Sequence, residues 1–330
     1  MIKRIVIVGL GSIGRRYIKI ISENWKDLEL CFIRSGKSKP DNHNLAVKGD
    51  SYDCLQEAIK SGIQAAILCS PSSLHIQQAI EFVKAKIPVL IEKPLSCNLD
   101  STNYLKELSK NLSVPVLVGY CFSHCDSLNK LISLYSNNHA GESFYVRIEC
   151  SSYLPNWRPA QDFKNTVSAN SSLGGGVLLE LSHELEYAIR IFGPFSKLFA
   201  KINKINSLGL DVEESAEIIL TNKNHLRVSI HLSFCSRAIE RTCRIYGNKS
   251  VLKWDGINDR TSIHKDGKEL DFWQFSKQRN DMFIKQLKHF FECVSLNIKP
   301  VINLENGTNV LELIESIKES HSKGIEVRLT

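Results

Sequence analysis

The chain has no stretch approaching the roughly 18 consecutive apolar residues that a membrane span requires, so a helical membrane protein is excluded, and no membrane partner is expected. It also lacks a charged-then-apolar leader. Met1-Ile2-Lys3-Arg4-Ile5 runs straight into strand-like sequence, predicting no cleavable signal peptide and a cytoplasmic location. No cluster of basic residues is present: 42 Lys and Arg against 35 Asp and Glu leave a net charge of +7, spread along the sequence. That excess suits an anionic ligand such as a nucleotide, whereas a nucleic-acid partner would need the charge gathered on one face. There is no internal repeat and no low-complexity tract. Ten cysteines are present, but their spacing is that of neither a disulfide framework nor a zinc site. Only Cys121 and Cys125 are close, with His124 between them, and no second ligand pair follows. Buried thiols in a reducing compartment are the expectation, with no metal.

The composition is that of a globular protein, 43% apolar and 23% charged. At about 150 residues per domain, 330 residues make two domains. Through residue 120, short β-rich runs alternate with helical patterns, the βαβ rhythm of a parallel sheet. Strands are expected at 5–8, 28–33, 65–69, 89–91 and 114–118, with helices after the first strand and over 73–85. Beyond a linking helix at 128–135 the pattern changes to longer alternating runs, at 143–152, 215–220, 226–234 and 242–246. Period-two alternation predicts antiparallel strands with one covered face. Two amphipathic helices, 281–294 and 305–320, close the sequence and need no role beyond packing. The expected architecture is a Rossmann α/β domain at 1–120 and an α+β domain at 121–330, built on an open, mostly antiparallel sheet. The last helix is free to pack back on the first domain.

Four elements carry chemistry. Gly9-Leu10-Gly11-Ser12-Ile13-Gly14 follows an apolar strand and opens an amphipathic helix, the context in which G-x-G-x-x-G binds a dinucleotide. Gly9 would make the tight turn, Gly11 admit a pyrophosphate and Gly14 let helix and strand pack closely. An acidic residue about 20 positions on would bond the ribose 2′-hydroxyl of NAD. The sequence there is Phe32-Ile33-Arg34-Ser35-Gly36-Lys37 instead. Arg34 and Ser35, with Lys37 in support, can hold a 2′-phosphate, so NADP(H) is favoured with NAD(H) still open; a solvated basic loop is the other reading.

Ile91-Glu92-Lys93-Pro94-Leu95 ends a buried strand, and carboxyl ends of parallel strands are where open α/β sheets bind ligands. An ammonium there can sit beside a reacting hydroxyl or carbonyl oxygen. Gly174-Gly175-Gly176, a run that allows a ligand close to the backbone, then feeds a helical pattern holding Glu180, His183 and Glu186 at intervals of three, which one helix would place on one side. A carboxylate one turn from an imidazole can orient it. A helix with a polar face and an incidental histidine is the alternative.

Gly9 to Gly14, Ser70-Pro71 with His75, Glu92-Lys93-Pro94, and the glycine run with His183 resemble, in order and spacing, the glucose–fructose oxidoreductase/inositol dehydrogenase/rhizopine-catabolism (Gfo/Idh/MocA) oxidoreductases. The resemblance runs through Arg244-Ile245-Tyr246-Gly247 and Leu252-Lys253-Trp254-Asp255 to the end of the chain. It implies hydride transfer between a nicotinamide and a sugar or cyclitol carbon, by a homo-oligomer. By position, Lys93 and His183 match the family's catalytic lysine and histidine, and Glu180 or Glu186 would be the carboxylate that orients the imidazole. The implied cofactor contacts are Gly9, Gly11, Ser12, Ile13, Gly14, Arg34, Ser35, Ser70, Pro71, His75, Glu92 and Lys93. The sequence departs from the family at three places. The usual Asp four residues before the histidine is Leu179, the common Tyr-Asn-x-Arg-Phe is Tyr120-Cys121-Phe122-Ser123-His124, and Tyr17 stands where a His often follows the glycine motif.

Tyr153-Leu154-Pro155-Asn156-Trp157-Arg158-Pro159 bears on the substrate. Trp157 offers a flat face to a sugar and Arg158 a fork for phosphate or carboxylate, while an aromatic anchor at the sheet edge is the other reading. The segment resembles members associated with nucleotide sugars and surface polysaccharides. The expected substrate contacts are Tyr120, Trp157, Arg158 and Glu186. The expectation is an NADP(H)-preferring sugar oxidoreductase acting on a nucleotide-linked or acidic sugar. A free-sugar or cyclitol dehydrogenase and a dinucleotide-sensing regulator are the alternatives.

Overall fold

Ile5, Val6, Ile7 and Val8 are all fully buried, as central strands of a parallel sheet must be. They belong to β1 (Arg4–Val8) in a computed structural model that describes residues 2–33, 48–275, 278 and 280–329. After β1 come α1 (Ser12–Asn24), β2 (Glu29–Ile33), β3 (Asp50–Tyr52), α2 (Leu55–Lys60) and β4 (Ala65–Leu68). Then follow α3 (His75–Lys84), β5 (Val89–Glu92), α4 (Thr102–Leu112) and β6 (Val116–Gly119). The six strands pair in parallel in the order β3-β2-β1-β4-β5-β6. This is the Rossmann order, and the direction of winding reverses between β1 and β4, where such sheets bind their ligands.

The remainder comprises α5 (Asp126–Ser136), β7 (Ser143–Tyr153), α6 (Val177–Glu180), α7 (Ser182–Phe192), β8 (Phe195–Asn203), β9 (Ser215–Asn222) and β10 (Arg227–Ser233). After these come β11 (Cys235–Gly247), β12 (Val251–Asp255), β13 (Arg260–Lys265), β14 (Lys268–Gln274), α8 (Asp281–Leu296), α9 (Leu304–Lys323) and β15 (Val327–Arg328). A nine-stranded sheet runs β14-β13-β12-β11-β7-β10-β9-β8-β15, antiparallel except where β7 meets β10. Its strand register lines up two apolar rows. One crosses Leu198, Leu220, Val228, Val146, Ile245 and Leu252; the other crosses Ala200, Ile218, Ile230, Ile148, Cys243 and Trp254. All twelve side chains are buried. The intervening row on the other face reads Phe199, Ile219, Ser229, Arg147, Arg244 and Lys253.

By contacts the chain divides into two compact units, residues 1–121 with 279–311 and residues 122–278 with 312–330. The second unit is thus not the continuous 121–330 stretch: α8 and the start of α9 group with the Rossmann sheet. Local chemistry explains this. The ring of Phe283 meets Tyr17 edge-on at 5.7 Å, Phe291 meets Trp25 at 5.2 Å, and the Ile302 carbonyl accepts from the Val118 N–H at 3.0 Å, extending the β6 edge.

All ten cysteines are free thiols. Among the described residues, no group of three or more His, Cys, Asp or Glu is assembled to hold a metal, and no helix is long and apolar enough to cross a membrane.

Candidate active site

In the first unit, the glycine turn is held by sterics. Gly9 has φ +92°, and a Cβ there would lie 2.7 Å from the Ser70 nitrogen. A Cβ on Gly14 would lie 2.0 Å from the Gly9 carbonyl oxygen. These two glycines let α1 start directly over the ends of β1 and β4. Gly11 is different: among the described residues, nothing lies within 4 Å of where its Cβ would be. Among the described residues no side chain caps α1, and no acidic residue sits in its first turn, so the backbone of Ser12, Ile13 and Gly14 forms an electropositive end. An exposed, uncapped helix start beside an open glycine fits the pyrophosphate of a dinucleotide. Arg34 and Ser35 lie outside the described residues, directly after Ile33 at the end of β2.

Lys93 follows β5 and is half-buried, joined to Pro94 by a cis peptide bond. Both of its neighbours are anchored. Glu92 is buried, and its Oε1 accepts a short hydrogen bond from the Tyr17 hydroxyl, while its Oε2 accepts from the Lys93 N–H at 3.2 Å. Burial pushes the Glu92 carboxyl above the usual glutamate range, opposed by the Tyr17 hydroxyl and the Lys93 cation. A Cβ on Gly119 would come within 3.0 Å of this carboxylate, so glycine on β6 makes the space for it. On the other side, Pro94 offers its carbonyl to His75 Nδ1 at 3.0 Å, and the Ser70 carbonyl faces Nε2 at 2.8 Å. Burial lowers the pKa of His75, and the two carbonyls oppose that shift. At 1% exposure His75 ties the Ser70 loop to the Lys93 loop, and is not presented to a cofactor. The Ser70 hydroxyl bonds Gln78 at 2.6 Å, and Pro71 leads the short turn Ser72–Leu74. Tyr120 is fully buried.

In the second unit, the helix expected after the glycine run is two helices. Leu181 breaks it, ending α6 at Glu180 and starting α7 at Ser182, so Glu180, His183 and Glu186 do not share one helix face. Glu180 accepts from the Ser168 hydroxyl at 2.9 Å. Glu186 is clamped by Arg190 through two contacts, at 2.8 and 3.4 Å, and is 2% exposed. That geometry corrects its expected place among the substrate contacts: an (i, i+4) arginine occupies its carboxylate. The imidazole of His183 lies flat on Phe122, with ring centroids 4.4 Å apart and planes 15° from parallel. Phe122 also carries the Arg241 guanidinium over its ring at 4.8 Å and meets Trp254 edge-on at 5.8 Å. Arg241 in turn forms an ion pair with Glu184, Nε to Oε1 at 2.9 Å, and donates from Nη2 to Glu184 Oε2 at 3.5 Å and to the Cys150 sulfur at 3.2 Å.

The glycine run has an internal cause. Gly174 and Gly176 have φ of +85° and +107°; a Cβ on Gly175 would strike the Val167 carbonyl at 2.4 Å, and one on Gly176 the Glu213 carboxylate at 2.4 Å. Glu213 accepts from the Leu178 N–H at 3.2 Å and so caps α6. These glycines admit the chain's own backbone and Glu213; the expected close approach of a ligand is not what requires them. Trp157 likewise takes the anchoring role: its indole N–H bonds Ser152 at 2.7 Å and its ring meets Phe234 edge-on at 5.3 Å. Arg158, next to it, is half-buried.

Residues 3–120 match the family profile described as an oxidoreductase family, NAD-binding Rossmann fold, and residues 145–329 match the C-terminal alpha/beta domain of the same family. The chain belongs to the Gfo/Idh/MocA oxidoreductases. It is an enzyme of that family, with an NAD-binding Rossmann fold and a second, mostly antiparallel sheet domain. Among similar Gfo/Idh/MocA proteins is myo-inositol 2-dehydrogenase of Thermotoga maritima, 24% identical over 344 residues and covering 99% of this chain and 98% of that protein. Glucose-6-phosphate 3-dehydrogenase of Bacillus subtilis is 25% identical over 263 residues, covering 76% of this chain and 74% of that one. Among solved structures, the WlbA dehydrogenase from Bordetella pertussis in complex with NADH and UDP-GlcNAcA superimposes with a TM-score of 0.82 at 18% identity, covering 99% of this chain and 97% of that chain.

Sequence reasoning missed Phe122, Gln286, Glu213 and the Arg241–Glu184 pair. Phe122 stood in view only as part of a departure from the Gfo/Idh/MocA pattern; a ring beside a helix-borne histidine had no linear signal. Glu213 had one: adjacent acids, Glu213-Glu214, just before an apolar alternating strand.

Proposed function

We propose that this chain is an NADP(H)-preferring dehydrogenase or reductase of a nucleotide-linked or otherwise acidic sugar, with Lys93 and His183 as its catalytic pair. The observation that carries the reading is Lys93 at the carboxyl end of β5, with both neighbours fixed, in a Rossmann sheet whose glycine turn is open at Gly11. Gly9 to Gly14 and the Ser70-Pro71 turn would hold the dinucleotide, with α1 facing its pyrophosphate. The nicotinamide, when bound, supplies the hydride acceptor or donor. The chain's own residues handle the oxygen and the proton. In oxidation, the His183 imidazole accepts the hydroxyl proton, and Lys93 Nζ stabilises negative charge developing on the oxygen. Phe122 limits the tilt of the imidazole by stacking on it. Glu180, held by Ser168, is the carboxylate we assign to support His183, because Glu186 is engaged by Arg190. Reduction uses the same groups in reverse.

The preference for NADP(H) is supported by the absence of an acidic residue at the end of β2 and by Arg34-Ser35 there. Losing a charge-assisted contact to phosphate costs about 1.5–3 kcal/mol, or roughly 10- to 150-fold in affinity. Arg34→Ala is expected to weaken NADPH by that factor and leave NADH nearly unchanged, read by quenching of tryptophan fluorescence. A wild type that prefers NADH ends the assignment.

The acidic-sugar reading is supported by Arg158 beside the anchored Trp157, and by the UDP-GlcNAcA bound in the WlbA dehydrogenase structure. Arg158→Ala is expected to reduce kcat/KM for an anionic sugar by about one to two orders of magnitude and barely affect a neutral analogue. A panel of nucleotide sugars, acidic sugars, free sugars and inositols, followed by nicotinamide absorbance, is the direct test. Turnover confined to inositols or neutral sugars would reject the substrate class.

A further inference from the structure

Three side chains distant in sequence form one buried chain beside Lys93. Gln286 of α8 donates from Nε2 to the Tyr17 hydroxyl oxygen at 2.7 Å. Tyr17 of α1 donates to Glu92 Oε1, and Glu92 Oε2 takes the Lys93 N–H. Tyr17 is 0% exposed, and Glu92 and Gln286 are buried with it. A buried hydroxyl has one proton to give. With Gln286 donating to its oxygen, that proton is directed to the carboxylate.

We infer that Tyr17 is a positioning residue for Lys93: with Gln286 behind it, it holds Glu92 as an oriented carboxylate and through Glu92 fixes the turn that presents the lysine. The inference rests on the proposed catalytic role of Lys93. It gives a function to the position at which this sequence replaces the histidine that often follows the glycine motif, and to a helix otherwise read as packing alone.

The consequence is a defined pH response. The charged and titratable groups facing Glu92 are Tyr17 and Arg16 on α1, Cys69 after β4, and Lys93 beside it; Cys121, after β6, faces Tyr17. Burial favours the protonated acid, while the Tyr17 hydroxyl and the Lys93 and Arg16 cations favour the carboxylate. Only the carboxylate accepts from both Tyr17 and the Lys93 N–H. Removing the Tyr17 hydroxyl therefore moves protonation of Glu92 to higher pH, and turnover should begin to fall at a correspondingly higher pH.

The probe is the carboxylic-acid C=O band of the unliganded protein, followed by infrared spectroscopy during a pH titration and assigned by its loss in Glu92→Gln. In Tyr17→Phe the midpoint of that band is expected to rise by about one to two pH units, the size of a lost hydrogen bond to a charged group. The acid limb of kcat should move the same way, with NADPH affinity unchanged. Gln286→Leu leaves the Tyr17 hydroxyl present but undirected, and should give a smaller shift of the same sign; it serves if Tyr17→Phe does not fold. An unmoved Glu92 band in the folded variant overturns the inference. So does a moved band with an unmoved acid limb. Normal turnover in Lys93→Ala would instead overturn the functional reading beneath it, while the band shift would stand.

Discussion

Lys93→Ala and His183→Ala should each lower turnover by at least about 100-fold, the usual contribution of a positioned proton-transfer group. The affinity for dinucleotide should change little, because the glycine turn and the start of α1 do not depend on either side chain. Both substitutions act on prepared positions. Lys93 is flanked by a carboxylate fixed through Tyr17 and a carbonyl fixed through His75. His183 lies against Phe122. Single-turnover absorbance of the nicotinamide is the measurement, since it isolates hydride transfer from product release. Lys93→Arg adds a discrimination. Arginine keeps the positive charge but does not give up its proton. Retention of most activity would assign Lys93 to charge stabilisation, and loss as deep as that of Lys93→Ala would assign it to proton transfer. Near-normal turnover in Lys93→Ala or His183→Ala would remove that residue from the mechanism.

The second large effect is expected on stability, from Arg241→Ala. Glu184 is 0% exposed, and the guanidinium of Arg241, itself only 24% exposed, bonds it from across the fold of the second unit. Removing the cation strands a carboxylate in the interior, which typically costs about 3–5 kcal/mol. For a domain of this size that corresponds to a fall in Tm of roughly 6–20 °C, measurable by calorimetry. The same substitution removes the cation from the face of Phe122, on which His183 is stacked. Replacing both partners by apolar residues of similar shape, as in Arg241→Met with Glu184→Leu, should recover much of the loss, because no charge is left buried. A Tm within about 2 °C of wild type in Arg241→Ala would mean that Glu184 finds other compensation.

The first unit was legible because its signals are local. A fully apolar strand, a glycine turn and an amphipathic helix occupy consecutive residues, and β1, α1, β4 and β5 lie where periodicity places them. The lysine was visible for the same reason, as a charged residue ending an apolar run. The second unit was legible where one face is covered, as in β7 and β9, whose alternation survives in the burial of Val146, Ile148, Ala216 and Ile218. It was not legible at β14, where nearly every side chain is exposed and no alternation exists to read. Nor does any linear pattern report that β7 pairs in parallel with β10, since pairing partners leave no mark on each other's sequence. At the site, spacing by three assumed an unbroken helix, and Leu181 breaks it. Glu186 looked available because its partner Arg190 lies four residues on, beyond the residues singled out for chemistry. The glycine run invited a ligand because a sequence cannot show that Glu213, far along the chain, already fills the space.

The grouping of 279–311 with the Rossmann sheet bears on how the protein is made. Translation delivers Tyr17 early and Gln286 only after every strand from β7 to β14 has left the ribosome. Until then the Tyr17 hydroxyl has Glu92 but not its amide donor, and Trp25 and Tyr17 lack the rings of Phe291 and Phe283. The nascent first unit therefore waits, with an apolar flank of α1 open to water or to a chaperone, for the last helices to arrive. Its completion comes only after β7 to β14 have been made, and a gene fragment cut at Cys121 would encode a sheet without the helix that seals it.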